Sequence, residues 1–303
     1  MTQTAIAENK ENEKFWEQSR LNLELGCNLQ GQTVITHQYQ THPIKISRPF
    51  RLDRNNKDRS KSSINSDRRA YLYLRNNSPG LFAADKLKIS LKLADCSQLY
   101  LTEQSATKVH PMKERERARV NYQWRIGQQG MVEFVPEPLI LYQDSALEQT
   151  TEIEIHPEAS LFWSDIILPG RLARGERYQF RYYDHRLSVC SERGESWFRE
   201  RMYLEGQNNP FRDNPLLAEY SVWGNAIAIM PRIKLDLLKN TVDSLEGQNI
   251  SNLQAATSVL PYDKGILIRV LADKTSRVKS YWNLILDALR KLNRQPSLPQ
   301  IPK

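Results

Sequence analysis

Carboxylates in the middle third of the chain are the side chains whose type and spacing could do chemistry. Glu137 lies between two prolines, and Asp144 follows the apolar run 139–142. A glycosidase needs two carboxylates at a fixed separation across the bond that it cleaves. A carboxylate beside an apolar strand must be solvated, paired or bound to a metal. Glu137 and Asp144 are therefore candidate functional residues, although exposed carboxylates at strand ends are the commoner outcome.

Oxygen-bearing side chains also offer a loose path for a divalent cation. The candidates are Asp85, Thr102, Ser105, Thr107, Glu137, Asp144 and Glu176. The alternative for each of them is turn chemistry, in which Ser, Thr and Asp side chains bond to nearby backbone N–H groups. For any single residue, turn chemistry is the stronger expectation.

The other common site chemistries lack their motifs. The five histidines form neither H-x-H nor H-E-x-x-H, so we predict no tight metal site. Neither G-x-S-x-G nor a phosphate-binding glycine loop occurs in the sequence. The three cysteines are far apart and never C-x-x-C, which favours a reducing compartment. Without an apolar leader or an 18-residue apolar run, we expect a cytoplasmic protein with no membrane partner.

The positive charge is concentrated in one stretch. The net charge of the 303 residues is +8, and residues 48–75 carry nine Lys or Arg against three Asp, a net of +6. This segment favours an acidic partner, and a nucleic-acid-binding β protein is the alternative function. Aromatic and basic residues also interleave over 177–183, which could stack bases. The strand period of that run instead favours tyrosines buried in the core, so nucleic-acid binding is the weaker hypothesis.

Strict alternation of apolar and polar residues predicts the elements that must position these side chains. It is clearest over 86–93 and 118–126, where one face is apolar and the other polar. Short strands continue to about residue 189, separated by turn residues. We predict a mainly β fold of layered antiparallel sheets with one or two C-terminal α-helices, at about 233–245 and 276–292.

The predicted domain organisation is simple. Residues 1–15 form a flexible N-terminus, 16–292 a single β domain and 293–303 a flexible tail. The charged, serine-rich stretch 51–67 is predicted to be an exposed basic insertion within that domain.

Four sequence blocks, in order, resemble the urease accessory protein D family (UreD, called UreH in some bacteria). The blocks are G-L-F-A-A-D at 80–85, L-T-x-x-x-A-T-K at 101–108, the Pro136-Glu137 step followed by Asp144 and Ala146, and G-R-x-A-R-G-E at 170–176. The similarity extends from about residue 20 to 292. The chain departs from the family pattern at Glu103 and Gln104, where small residues are expected.

The resemblance implies a scaffold in nickel delivery to urease and not an enzyme. It implies a β-helix-like arrangement with helices that dock UreF, which recruits UreG, and an assembly that binds apo-urease and can pair into a dimer. Nickel(II) would be in transit through an internal tunnel, with no tightly bound cofactor. The residues implied to line the path or contact partners are Asp85, Thr102, Ser105, Thr107, Glu137, Asp144, Asp165, Arg171 and Glu176.

Overall fold

Two β-sheets wound from successive coils of the chain form the body of the protein. We describe a computed structural model, which covers residues 20–53, 68–206, 214–245 and 250–302. The predicted flexible N-terminus lies outside the described residues. So does all of the predicted basic insertion except its first three positions.

Within the described residues the chain forms seventeen strands. They are β1 (Arg20–Cys27), β2 (Thr33–Gln40), β3 (Ile44–Ile46), β4 (Ala70–Asn76), β5 (Lys86–Leu93), β6 (Gln98–Glu103), β7 (Thr107–Val109), β8 (Ala118–Ile126), β9 (Met131–Val135), β10 (Leu139–Leu141), β11 (Ala146–Ile155), β12 (Ser160–Leu168), β13 (Tyr182–Ser191), β14 (Ser196–Glu205), β15 (Val222–Ile229), β16 (Leu253–Val259) and β17 (Ile266–Ala272). The mainly β prediction is confirmed, and the clearest predicted strands, 86–93 and 118–126, have the bounds of β5 and β8.

From β4 to β13 the strands of the two sheets alternate as the chain advances, whereas at either end consecutive strands stay in one sheet. The first sheet has the order β14-β13-β11-β8-β5-β1-β2, and the second has the order β16-β17-β15-β12-β9-β6-β4-β3. The short strands β7 and β10 lie off these paths and pair with each other, and β10 also pairs with β12. Each coil thus adds one strand to each sheet, which confirms the β-helix-like arrangement.

The prediction of antiparallel sheets is wrong for the body of the fold. Strands β5, β8, β11 and β13 pair in parallel in the first sheet, as do β4, β6, β9 and β12 in the second. Antiparallel pairs lie at the ends, as in β1–β2, β13–β14 and β15–β17. Alternation reports one buried and one solvated face, and it is usual in antiparallel sheets. It does not report strand direction. In a coiled chain, each strand runs in the same direction as the equivalent strand of the preceding coil, so the two pair in parallel.

The sheets and helices enclose two apolar cores. The first core lies between the sheets and is built from inward residues of both, such as Leu91 and Trp124 of the first sheet and Trp163 of the second. The second lies on the other face of the second sheet and includes Phe162 and Trp282. The outer face of the first sheet carries polar and charged side chains, as the alternation predicted.

Three α-helices lie within the described residues, namely α1 (Pro215–Glu219), α2 (Leu235–Asp243) and α3 (Thr275–Leu292). The predicted helices at about 233–245 and 276–292 correspond to α2 and α3. Apolar residues of α3 recur every three or four positions, and this buried stripe packs on the second sheet. The prediction of C-terminal helices is confirmed.

A buried ionic cluster joins α3 to the second sheet. The Arg290 Nε atom on α3 donates to Glu133 Oε1 on β9 at 2.9 Å, and Arg69 Nε lies 3.4 Å from Glu133 Oε2. Asp53 lies 3.5 Å from Arg69 and 3.4 Å from Arg290. Burial would raise the pKa of Glu133, but the two guanidiniums outweigh burial and hold that pKa below its ordinary value.

The last described residues run back along the body. The Tyr73 hydroxyl donates to the Pro302 carbonyl at 2.6 Å, and the Leu298 amide donates to Asp287 Oδ1 at 2.9 Å. Leu298 and Ile301 pack against the second core. The division into one domain with flexible ends stays a prediction.

The cluster makes a stability prediction for Arg290→Met. Removing this guanidinium leaves the buried Glu133 carboxylate with only one of its two arginine partners. Breaking a buried ion pair costs about 3 to 5 kcal/mol. We expect a loss of that size in the free energy of unfolding measured with urea. The matched control is Lys291→Met, whose partner is Asp287 and whose side chain is 63% exposed. It should cost less than about 1 kcal/mol, and an equal loss for both variants would contradict the prediction.

Candidate functional site

A small cavity with both polar and apolar lining residues lies between the two sheets, and we call it the inner cavity. Its volume is about 50 Å³, enough for one or two water molecules. Its polar lining comprises Glu103, Thr107, Glu137, Gln149, Ser164 and Asp165, with apolar walls from residues such as Val120, Phe134 and Trp163. Three carboxylate residues therefore line one space.

A second space, the adjoining cavity, lies beside the first. It has a volume of about 30 Å³ and shares Glu103 and Thr107 with the inner cavity. Ser105 and Asn76 add polar groups to its lining. The common lining residues make the two cavities neighbours within the β body.

Strand phase explains why polar groups face inward here. In β12 the side chains of Leu161, Trp163 and Ile167 belong to the first core, and Asp165 lies in the same phase. In β11, Gln149 and Thr151 share the phase of the core residues Leu147 and Ile153 in the same way. The interior is apolar except at these levels.

Asp165 is held by hydrogen bonds from a neighbouring strand. Its Oδ1 atom accepts from the Asn225 backbone amide at 3.1 Å and from Asn225 Nδ2 at 2.9 Å, both from β15. Burial raises the pKa of the Asp165 carboxyl to about 7, against the opposing effect of those hydrogen bonds. The charge of the inner cavity therefore changes near neutral pH.

His185 on β13 lies behind Asp165. Its Nδ1 atom is 3.9 Å from Asp165 Oδ2, and its Nε2 atom is 3.1 Å from Thr151 Oγ1. Burial lowers the pKa of His185 to about 4, so the imidazole is neutral at physiological pH. The motif search gave no reason to select this histidine, whose only signal is its strand phase beside Tyr183 and Leu187.

Glu137 forms an ion pair with Lys279, which comes from the first turns of α3. The carboxylate Oε2 accepts from the Lys279 ammonium. The side chain of Glu137 is 8% exposed, whereas that of Lys279 is 34% exposed. Partial burial lowers the pKa of the Lys279 amine. The pair links α3 to the lining of the inner cavity.

The structure brings together four of the nine residues selected from sequence. Ser105, Thr107, Glu137 and Asp165 line the two cavities. The other five, Asp85, Thr102, Asp144, Arg171 and Glu176, lie outside both linings.

Three of these five residues bond to the nearby backbone or occupy a turn. Asp85 Oδ2 accepts from the Phe82 amide at 2.8 Å, which is turn chemistry. The Thr102 hydroxyl is buried and donates to the Val135 carbonyl at 2.6 Å. Asp144 occupies a turn with φ of 58°, a left-handed conformation that aspartate tolerates.

Arg171 and Glu176 close the G-R-x-A-R-G-E loop. The guanidinium Nε donates to both Glu176 carboxylate oxygens at 2.8 Å, and the guanidinium lies over the Tyr142 ring at 4.4 Å. Hydrogen bonds from Arg171 hold the pKa of Glu176 below its ordinary value. At Gly170, where φ is 139°, an added Cβ would lie 2.4 Å from the Glu176 carbonyl oxygen. The loop therefore requires glycine at position 170, and the ion pair between Arg171 and Glu176 closes it.

Glu103 is the carboxylate of the cavity lining that the sequence analysis did not select. It stands out as a departure from the family pattern, yet it lines both cavities. A signal was present, because Leu99, Leu101 and Glu103 alternate along β6 and the two leucines belong to the first core. Strand phase was the feature that could have found it.

The cavity does not have the dimensions of a sugar-binding site. A pyranose ring needs far more room than the inner cavity offers, and Asp144 lies outside the lining that contains Glu137. Across the described ranges, no three His, Cys, Asp or Glu side chains are grouped so that they could hold a metal ion. None of the described helices is long and apolar enough to cross a membrane.

The aromatic run at 177–183 does not present a stacking surface. Tyr178, Phe180 and Tyr183 are fully buried. The strand nevertheless begins only at Tyr182, which is half-buried, so the burial of these rings does not follow a strand period. The Tyr178 hydroxyl accepts from Trp223 Nε1 at 2.8 Å, which fixes that ring inside the core.

The fold and the site together define a class of protein, a two-sheet β-solenoid with an apolar interior, carboxylates lining two small cavities within it and helices packed on one sheet. A family model described as UreD urease accessory protein matches residues 17–303. A urease accessory protein UreD from Trichodesmium erythraeum (strain IMS101) is 44% identical, over 94% of this chain and 99% of its own length. Proteins named urease accessory protein UreD 2 from Brucella canis and urease accessory protein UreD from Bacillus cereus are each 27% identical, over 74% and 82% of this chain and 74% and 85% of their own lengths.

The chain belongs to the UreD family of urease accessory proteins. The resemblance inferred from the four ordered sequence blocks is confirmed.

The raised pKa of Asp165 predicts the pH dependence of stability. A carboxyl whose pKa is higher in the folded state contributes most stability below its unfolded pKa and loses that contribution as pH rises through the folded pKa. We therefore expect Asp165→Asn to gain stability relative to the wild type between about pH 5 and about pH 7, by roughly 1 kcal/mol per pH unit. Urea unfolding at a series of pH values measures the difference.

The matched control for this prediction is Asp184→Asn. Hydrogen bonds from Arg201 hold the pKa of Asp184 below its ordinary value, so its contribution is lost only in acid. Its difference from the wild type should be constant over the same pH range. If the stability difference between Asp165→Asn and the wild type were also constant over this pH range, burial would not raise the pKa of the Asp165 carboxyl.

Proposed function

We propose that this protein acts in urease maturation as a scaffold through which nickel(II) is delivered to apo-urease. The observation that supports this function is the pair of neighbouring cavities lined by Glu103, Glu137 and Asp165 together with Ser105 and Thr107. Carboxylate and hydroxyl oxygens bind a divalent cation without the high affinity of a thiolate or imidazole cage. A series of weak sites lets an ion enter and leave.

In this proposal nickel(II) is cargo and not a resident cofactor, and the protein performs no catalysis of its own. UreF and UreG are the partners, apo-urease is the recipient, and two copies of the complex can pair. Helix α3 belongs to the face available to a partner, because it covers the second sheet and exposes its polar side. A cytoplasmic location fits the three free cysteines.

Association with the proposed partners is the first test. The chain is co-expressed with UreF and UreG of the same organism, and the complex is purified through a tag on UreF. We expect this chain to co-purify in a fixed ratio with both. If UreF is folded and soluble but the chain does not associate with it, the partner assignment is wrong.

The cavity carboxylates supply the second test. In the double variant Glu103→Gln and Glu137→Gln, two oxygen donors lose their charge while side-chain shape is kept, so the interior should bind nickel(II) more weakly. We expect urease activation in cells to fall by about 10-fold or more, with the complex still assembled. The measurements are urease activity and nickel content of purified urease.

The matched control removes two carboxylates that lie outside the cavities. The double variant Asp85→Asn and Asp144→Asn changes the net charge by the same amount. It should leave activation near the wild-type level. Equal losses for the two double variants would contradict a role for the cavities.

A further inference from the structure

Lys279 brings a positive charge to the edge of the inner cavity. The residue belongs to α3, which packs on the outer face of the second sheet, whereas Glu137 follows β9 and lines the cavity. The ammonium donates to the Glu137 carboxylate across this boundary. A cation supplied by the chain thus occupies one of the carboxylates to which a divalent cation in the cavity would bind.

The two ends of this ion pair differ in exposure. The carboxylate end is 8% exposed, and the lysine side chain is 34% exposed. The flexible four-carbon stem of lysine can therefore carry its ammonium to water without any movement of α3. In contrast, Arg290 further along the same helix is 0% exposed and grips Glu133 with two nitrogen atoms. The Arg290 pair is therefore fully buried, whereas the lysine of the Lys279 pair contacts solvent.

We propose that Lys279 is a tethered counter-ion, which neutralises Glu137 when the cavity is empty and is displaced when a divalent cation arrives. This inference rests on the proposed function, since nickel(II) is the cation concerned. It adds a residue outside the cavity lining that determines how tightly the cavity binds its cargo.

The charge balance explains why such a residue is needed. Glu103, Glu137 and Asp165 are each no more than 9% exposed, and burying unpaired carboxylates is costly. The ammonium offsets one negative charge in the empty state. When a dication binds Glu137, the stronger attraction to two positive charges releases the lysine, whose own charge is then solvated.

The same exchange keeps the site weak. Cation binding must displace the ammonium, so the observed affinity is lower than that of the carboxylates alone. A path for transfer works only if the ion can leave each site again. Lys279 therefore favours passage over retention.

The test compares nickel(II) affinity in variants of the co-purified complex, by competition with a chromophoric chelator at fixed pH and salt. In Lys279→Met the competing charge is absent, and we expect affinity at the cavity to rise about 10-fold and urease activation to slow. Lys279→Arg keeps the charge and should leave affinity at or below the wild-type value. Adding Glu137→Gln to Lys279→Met should abolish the gain.

Lys274 provides the matched control. It is exposed immediately before α3, so Lys274→Met removes one positive charge from the same region without touching Glu137. Its affinity should equal that of the wild type. Circular dichroism and co-purification with the partners establish that each variant is folded.

The outcomes separate the inference from the proposed function. If Lys279→Met leaves affinity unchanged or lowers it, or if the gain persists without the Glu137 carboxylate, the inference is overturned. The proposed function would still stand, provided that Glu103→Gln with Glu137→Gln abolishes activation. If that double variant activates urease normally, the nickel path itself is wrong.

Discussion

Parallel backbone pairing between successive coils is the interaction on which the rest of the structure depends. It places equivalent residues of each coil beside one another, as in the column Leu87, Val120, Gln149 and His185 across the first sheet. Each backbone group of a central strand finds its partner one coil away, so the sheets extend without long-range crossovers. Side chains at the same level form rows, and a row can change from apolar to polar along the solenoid.

The same repetition organises the turns. Phe82 stacks on His110 with ring centroids 4.3 Å apart, the next centroid, of Tyr142, is 5.3 Å from His110, and the Arg171 guanidinium lies over Tyr142. Each member comes from a successive coil. The G-R-x-A-R-G-E loop ends this row, so its arginine and glutamate fix the coil geometry at one end of the stack.

Polar groups inside such a body must satisfy one another. At one level the interior holds three carboxylates, and each meets a different solution. Asp165 accepts two hydrogen bonds from Asn225 and has a raised pKa. Glu137 forms an ion pair with Lys279 of α3. Glu103 lines both cavities. The ionic cluster around Glu133 shows the contrasting case, in which two fully buried arginines anchor a helix. The same helix thus supplies one fully buried arginine to Glu133 and one partly exposed lysine to Glu137.

The sequence by itself determined the local features of this protein. Alternation of apolar and polar residues predicted the bounds of β5 and β8. The 3.6-residue period predicted α3, and the four ordered sequence blocks indicated the family. These signals are local because side-chain periodicity and turn residues act within a few positions of the chain.

Only the tertiary structure decided strand direction, the grouping of the cavity residues and their charge partners. Alternation is the same for a parallel or an antiparallel neighbour, so it could not show that the coils stack in parallel. Glu137 and Lys279 are 142 residues apart, and Glu133 and Arg290 are 157 apart, so no spacing rule connects them. The solenoid brings Glu103, Glu137 and Asp165 to one space because strands from different coils meet there, and that meeting depends on the register between coils.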